Sequence, residues 1–335
     1  MMKRHDSRGW LMIFLKLTMI VGIFYYLLSG VDWSTFLVSL SGYALLPILF
    51  GIFLILFNDV IQALRWRYIT HHKCSLQASL ESILVGGFLN VILPAKLGEV
   101  SRLLYLRNFY HFPLNYGLGA MVIERGADIF IMVCLLAIGA GIATGNDLLQ
   151  MACIVFVAMI IGGIVALKRG NGITQALLRK IPSRFVRIYS KKIIRLILRD
   201  LGVERTLQVL GYTLALRIVY FLTFLFFIKE VASLELSLGE LFIIYLVSSI
   251  AWAIPLSPGG TGTFHAGLVM AMGWYGIGKE EGLAIAVVLH LLLNLVPMAS
   301  ALLIVLFKDI SVSGMVRMEK RDKDVTLPVI IQKGD

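Results

Sequence analysis

Two charged runs interrupt an otherwise apolar sequence, and the first of them is PAKLGEVSRLLYLR at residues 94–107. Glu99 and Arg102 are three residues apart, so on a helix that starts after Gly98 they share a face and can pair. Lys96 lies just before them. A charge beside hydrocarbon is costly unless it is paired or faces water, so the run predicts a cluster that lines a cavity. Solvated charges in a cytoplasmic loop are the alternative.

The second charged run, ERGAD, places Glu124 and Asp128 one helical turn apart, with Arg125 between them. Two carboxylates on one face repel each other when both are ionised. If the helix begins near Tyr116, Glu124 lies about 12 Å along it, at about 1.5 Å per residue. The acidic pair therefore needs cations, and we expect those of the first run to meet it. The available partners are Arg65, Lys96, Arg102 and Arg217. A structural ion-pair network, a proton site and a headgroup site all fit this pattern.

A third polar run, SPGGTGT at residues 257–263, is rich in glycine and leads into a helix. Exposed N–H groups at a helix start favour an anion such as a lipid phosphate. The spacing of a nucleotide-binding lysine is missing, so nucleotide binding is not predicted. The candidate lipid-binding residues of this run are Pro258, Gly259, Gly260 and Gly262.

His265 and His290 accompany the third run, and Asn294 follows His290 by one helical turn. An intramembrane histidine is more often a packing residue than a catalyst, and no Ser or Cys nucleophile is evident beside it. We keep these three as secondary lipid-binding candidates. Arg65 belongs to an Arg-Trp-Arg triplet at the end of an apolar span, a pattern typical of interface anchoring. It is also a candidate partner for the acidic pair.

The composition shows which kind of element must position these residues. The chain has 335 residues, of which 59% are hydrophobic and 15% charged, whereas soluble domains contain about 25% charged residues. Apolar stretches near the length needed to cross a bilayer recur throughout. The net charge of +11 comes from basic clusters between spans, which orient membrane proteins, so no nucleic-acid partner is predicted. The three cysteines lack C-x-x-C spacing, and neither a metal site nor a cofactor is predicted.

The apolar pattern predicts an all-α polytopic membrane helix bundle. Full spans are expected at 10–28, 43–62, 117–140, 148–167, 208–228 and 283–306. Two further segments, 77–110 and 239–276, are interrupted near Pro94 and Pro258. Paired interrupted segments are typical of discontinuous helices around a substrate site. Whether these hairpins are re-entrant or fully spanning stays open.

Lysine and arginine counts place both termini in the cytoplasm of the cell. Residues 1–310 form the predicted membrane domain, with a basic cytoplasmic segment at 168–206 and a cytoplasmic tail at 311–335. Within the basic segment, 184–201 is predicted to be an amphipathic helix on anionic headgroups. The pattern Pro94-x-x-x-Gly98 matches Pro258-x-x-x-Gly262, so we expect two inverted repeats. Helices that simply end at the interface are the alternative.

Taken in order, LPAKLGEVSR (93–102), ERGAD (124–128) and SPGGTGTF (257–264) resemble motifs of the lysylphosphatidylglycerol synthase transmembrane-region family, also called flippase-like proteins. The resemblance implies a multi-pass membrane protein of the cell membrane. Some family members move aminoacylated phospholipids between leaflets, and others accompany polyprenyl-glycan or hopanoid pathways. Family members often have an acidic residue where this sequence has His265. A soluble aminoacyl-transfer domain is not recognised, so synthase activity is not expected.

The leading hypothesis is a protein that translocates or binds a charged-headgroup lipid: a phospholipid, an aminoacylated lipid or a polyprenyl-linked lipid. One alternative is an intramembrane transferase that uses Glu124 or Asp128 as a base. Another is a non-catalytic membrane subunit of an envelope-lipid pathway. Membrane lipids are the expected partners, with a homo-oligomer or an envelope-lipid enzyme as further possibilities. No ATP-binding motif is recognised, so uphill transport would need an ion gradient or a partner.

Overall fold

The structure is a computed structural model that describes residues 27–41, 45–92, 97–144 and 203–308, together with positions 18, 21–23, 25, 151, 155 and 158. All regular elements within these residues are helical, as predicted. The helices are α1 (Trp33–Ser41), α2 (Leu45–Ile69), α3 (Leu76–Ile92), α4 (Gly98–Tyr110), α5 (Leu114–Thr144), α6 (Val203–Phe226), α7 (Leu238–Ala253), α8 (Thr263–Gly273) and α9 (Lys279–Lys308). A π-helical turn, Phe227–Val231, extends α6.

Long apolar helices with outward-facing apolar side chains dominate the described ranges. Three segments are long and apolar enough to cross a bilayer: Leu45–Ile69, Glu204–Val231 and Lys279–Lys308. Leu46, Leu306 and Phe307 are 78%, 75% and 86% exposed. Contiguous apolar surface of this kind is unfavourable in water and favourable in lipid. The described helices therefore fit a polytopic membrane bundle.

Both predicted interruptions are present. Helix α3 ends at Ile92 and α4 begins at Gly98, while α7 ends at Ala253 and α8 begins at Thr263. A 3-10 turn, Pro258–Gly260, lies within the second break. The members of each broken pair pack on each other, both pairs contact α9, and the 3-10 turn contacts α3. The two breaks therefore meet within the bundle.

Glycine serves a different purpose at each break. A Cβ at Gly98 would collide with the Gly86 carbonyl oxygen and the Asn90 backbone nitrogen, so α4 can lie against α3 only without a side chain there. At the second break, Gly259, Gly260 and Gly262 have φ values of 62°, 75° and 88°. Such values are accessible to glycine at little cost and strain most other residues.

The Arg-Trp-Arg triplet was expected at the interface, and this prediction is wrong. Helix α2 continues to Ile69, and Trp66 is 0% exposed. Its ring lies 3.8 Å from the guanidinium carbon of Arg102. Because this cation–π contact and the surrounding core hold the indole, the ring does not reach a bilayer surface.

Helix α1 lies in a segment for which no helix was predicted. Asp32 caps it by accepting a hydrogen bond from the Ser34 backbone N–H at 3.0 Å. Hydrogen bonds from the hydroxyl groups of Ser34 and Thr35 help to lower the pKa of Asp32 to about 2. The Asp-x-Ser-Thr pattern is a helix-start signal that apolar periodicity alone does not reveal.

Several predictions fall outside the described residues. They are most of the spans 10–28 and 148–167, the basic segment 168–206 up to residue 202, the amphipathic stretch 184–201, the tail 311–335, and the positions of Pro94 and Lys96. The last four residues of the basic segment belong to α6.

Candidate functional site

Glu124 is the centre of a buried ion-pair network. Its carboxylate is fully buried and lies 2.7 Å from Arg65 Nη2 through one oxygen and 3.1 Å from Arg102 Nη2 through the other. Arg65 comes from α2, Glu124 from α5 and Arg102 from α4. The prediction that a cation of the first run meets the acidic face is therefore confirmed. A buried carboxylate with two guanidinium partners has its charge compensated.

Asp128 extends the network by one helical turn. Its Oδ1 lies 2.6 Å from Arg65 Nη1 and 3.8 Å from Arg217 Nη2, and its Oδ2 lies 3.1 Å from Arg125 Nη1. Arg65 thus bridges both carboxylates, and its Nη1 also donates to Thr213 Oγ1 at 3.0 Å. The planar guanidinium group of Arg65 contacts one carboxylate through each of its two Nη atoms. The positive charge between them explains how two carboxylates can lie on one face of α5.

Glu99 has a different partner from the one expected within its own helix. It lies 3.2 Å from Arg125 Nε, while Arg102 is directed to Glu124 and Trp66. Sequence spacing allowed a pair between Glu99 and Arg102, but α5 supplies better-placed partners for both. Among the described residues, the network contains three carboxylates and four guanidinium groups: those of Glu99, Glu124, Asp128, Arg65, Arg102, Arg125 and Arg217. One positive charge is left in excess.

Accessibility divides the four arginines into two pairs. The side chains of Arg65 and Arg102 are 2% and 7% exposed, whereas those of Arg125 and Arg217 are 41% and 22% exposed. The first pair is held by buried carboxylates. The second pair therefore offers N–H groups to a ligand.

A cavity of about 520 Å³ adjoins this network. Its charged wall is formed around Asp128 by the arginines that contact this carboxylate. Its other lining is largely apolar or aromatic and includes Met132, Val133, Leu216, Phe224, Phe264, Leu289 and Leu293. The volume falls within the range of about 300–1,000 Å³ typical of small-molecule sites. A cavity with one cationic wall and an apolar remainder suits an amphiphile.

A second cavity, of about 210 Å³, lies where the two helix breaks meet. Asn90 and Val91 line it from the end of α3, Gly259 and Gly260 from the 3-10 turn, and Asn294 from α9. The two cavities share five lining residues and adjoin: Gln62, Arg125, Tyr220, Trp252 and Leu293.

Asp59 also lines the second cavity, and sequence reasoning missed it. It is 6% exposed, and its Oδ2 has no hydrogen-bond partner. The signal was available, because an acidic residue inside the predicted span 43–62 is a functional candidate by default.

Within the Gly-rich run, which was predicted to hold a phosphate through backbone N–H groups, three of these groups already donate to acceptors of the same segment. The N–H of Gly260 donates to Ser257 O, that of Thr261 to Pro258 O, and that of Gly262 to His265 Nδ1. The run instead forms a self-contained turn that becomes the wall of the second cavity. A phosphate bound to these three N–H groups would have to displace their present acceptors.

The two histidines hold that turn in place. His290 Nε2 lies 2.9 Å from the Gly259 carbonyl oxygen, so this nitrogen donates. The ring centroids of His265 and His290 are 4.7 Å apart. Asn294 Nδ2 donates to the His290 carbonyl oxygen at 2.8 Å and places its side chain at the cavity. These contacts give the histidines a packing role, the more common one for intramembrane histidines.

The sequence is similar to known membrane proteins. Residues 13–301 match the family described as the lysylphosphatidylglycerol synthase TM region. The chain is also 28% identical, over 216 residues, to the UPF0104 membrane protein MJ1078 of Methanocaldococcus jannaschii, an alignment that covers 61% of this chain and 87% of that protein. The family match spans the three polar runs and all the described helices except the last seven residues of α9. The chain is a multi-pass membrane protein and belongs to the lysylphosphatidylglycerol synthase transmembrane-region family.

Proposed function

We propose that this protein binds a lipid whose headgroup carries a negatively charged group, such as a phosphate, and moves that lipid between the leaflets of the cell membrane. The observation that carries the proposal is the 520 Å³ cavity, in which arginines form one wall and apolar side chains most of the remainder. An amphiphile has the same division between a charged end and an apolar end.

Arg125 and Arg217 are the proposed headgroup contacts, because they line the cavity and keep exposed guanidinium groups. Arg65 and Arg102 fix the two carboxylates of α5 and so position that wall. The excess positive charge of the network favours an anionic group. Charge-assisted hydrogen bonds from guanidinium groups to phosphate oxygens are among the stronger polar contacts.

The carboxylates give the proposed site its second property. Asp128 already neutralises part of the arginine charge, so an incoming phosphate competes with it and is not bound irreversibly. A translocation site must release its ligand. Because Asp128 partly neutralises the arginine charge, the affinity for the phosphate is lower than it would be at arginines alone. Asp128 can also accept hydrogen bonds from an amino or hydroxyl group on the headgroup.

We also propose that the two broken pairs, α3–α4 and α7–α8, are inverted repeats that enter from opposite faces, with both termini in the cytoplasm. The meeting of the breaks supports this: a Cβ built on Gly259 would lie 3.7 Å from Val91 Cα. Breaks that meet near the bilayer midplane, beside a cavity, are common in transporters built from inverted repeats. Irregular backbone at that depth is tolerated where it is enclosed by protein.

A liposome assay tests the function directly. The purified protein is reconstituted with a fluorescent phosphatidylglycerol, and headgroups in the outer leaflet are quenched chemically over time. We expect wild-type protein to speed exchange and Arg217→Gln to slow it by about tenfold or more, because a charged hydrogen bond contributes about 1.5–3 kcal/mol. Arg107→Gln, a change of the same chemistry outside the cavity lining, is the control and should exchange lipid at the wild-type rate.

Two results would count against the proposal. One is exchange no faster than in protein-free liposomes when the protein is verified as folded by its helical circular dichroism. The other is an equal rate for wild type and Arg217→Gln. A labelled lipid whose mass changes during the assay would instead favour the transferase alternative.

A further inference from the structure

Asp59 is the buried carboxyl group for which the ion-pair network provides no partner. It lies on α2, is 6% exposed, and lines the cavity where the two helix breaks meet. Its Oδ2 accepts no hydrogen bond. Within the described ranges, none of the ion pairs includes Asp59. An ionised carboxylate in such a place is costly unless a proton or a cation neutralises it.

The surroundings favour a proton over a metal ion. The charged and titratable groups that line the same cavity are Glu99 and Arg102 from α4, Arg125 from α5 and Tyr220 from α6. The lining from α3, α7 and α9 is uncharged and includes Asn90, Trp252 and Asn294. Two guanidinium groups repel a metal cation. A proton forms a covalent bond to one oxygen and needs no shell of further ligands.

From this geometry we infer that Asp59 is a proton-binding site whose occupancy is linked to that of the neighbouring headgroup cavity. The linkage rests on the proposed lipid function; the proton site itself does not. With Asp59 protonated, the two adjoining cavities keep the single excess positive charge of the network. With Asp59 ionised, that excess is cancelled, and an anionic headgroup loses its net attraction.

Linkage makes the effect reciprocal. If a proton on Asp59 strengthens anion binding, a bound anion strengthens proton binding by the same factor, and coupling between sites is commonly about 5- to 150-fold. A proton gradient across the membrane would then bias the direction in which the anionic lipid is carried. Asp59 would provide the link to an ion gradient in a chain without a recognised ATP-binding motif.

Infrared difference spectroscopy tests the proton site without any lipid substrate. The full-length protein in nanodiscs is titrated from acid to alkaline pH, and the carbonyl stretch of protonated carboxyl groups is followed. In the difference between the wild-type and Asp59→Asn titrations, we expect one such band that changes with pH, since Asp59→Asn is an isosteric change that mimics the neutral acid and removes only the Asp59 contribution. Asp32→Asn, at an exposed helix cap, should keep the band. A wild-type spectrum identical to that of Asp59→Asn would show that another cation neutralises Asp59 and would overturn the inference.

A binding titration then tests the linkage. Affinity for short-chain phosphatidylglycerol should fall about 5- to 150-fold in wild type as pH rises through the titration of the Asp59 band. Asp59→Asn should keep the acid-side affinity at every pH, and short-chain phosphatidylcholine should bind weakly throughout. The same pH dependence in both proteins would overturn the linkage. Absence of binding by either would instead count against the lipid function, while the infrared result still decides the proton site.

Discussion

Each of the two helix breaks separates two helices that pack on each other, and the residues around the two breaks differ in chemistry. Beside the first, between Ile92 and Gly98, three helices bring guanidinium and carboxylate groups into contact around Glu124. At the second, between Ala253 and Thr263, the His290 ring donates to the Gly259 carbonyl oxygen, and none of the ion pairs among the described residues involves this turn. The first break is close-packed, whereas the second depends on backbone conformations that favour glycine.

This difference indicates that the two breaks need not have the same function. In the proposed function, the charged residues beside the first break bind the headgroup, and the second break forms part of the cavity wall. If the halves are inverted repeats, as we propose, the symmetry concerns the helix breaks and not the ligand contacts. The cavity then has one wall that can hold a charge and another that can yield to the chain of a lipid.

The largest expected effect is the loss of the central carboxylate. Glu124→Gln leaves Arg65 and Arg102 buried beside a neutral amide, and breaking a buried pair in this way costs about 3–5 kcal/mol. Denaturant titrations in mixed micelles measure this loss in the free energy of unfolding. If Glu124→Gln lowers the free energy of unfolding no more than a substitution of His290 does, the charged first break is not the stronger of the two.

Glu99→Gln is the matched control for that experiment. Its carboxylate is 23% exposed and pairs with the partly exposed Arg125. Exposed ion pairs contribute about 0–1 kcal/mol. Equal losses for the two variants would mean that burial does not set the strength of the network.

The sequence predicted the breaks because proline and glycine clusters mark them, and it predicted a meeting of Arg102 with the acidic pair because spare charges in apolar spans need partners. It could not predict which arginine meets which carboxylate. Arg65 bridges Glu124 and Asp128 only because α2 crosses α5 at that level, and this crossing depends on packing over long sequence separations. The burial of Trp66 depends on the same crossing. Asp59 was predictable in principle, since an acid inside a span is itself a signal.

Close packing at the first break gives the second prediction. Gly98→Ala would force α4 away from α3, since the new methyl group meets backbone atoms of Gly86 and Asn90. Overpacking of this kind costs about 1–3 kcal/mol. Gly126→Ala, on α5 beside the ion-pair network, is the control, because a Cβ there meets nothing within 4 Å and a helical Gly→Ala change stabilises by about 0.5–1 kcal/mol. Opposite signs in the same unfolding assay would sharpen the picture of a tight first break, and a stabilised Gly98→Ala would contradict it.

The smallest expected effect lies at the second break. His290→Phe keeps an aromatic ring next to Phe264, whose ring centroid is 5.4 Å away, but removes the N–H that donates to the Gly259 carbonyl oxygen. The loss of this neutral hydrogen bond should cost about 0.5–1.5 kcal/mol. Ser300→Ala, which removes only a hydroxyl bonded within α9, should change stability less. Because the lost contact carries no net charge, the His290→Phe loss should not vary with salt concentration, and a loss that falls as salt rises would show that the second break also depends on charge.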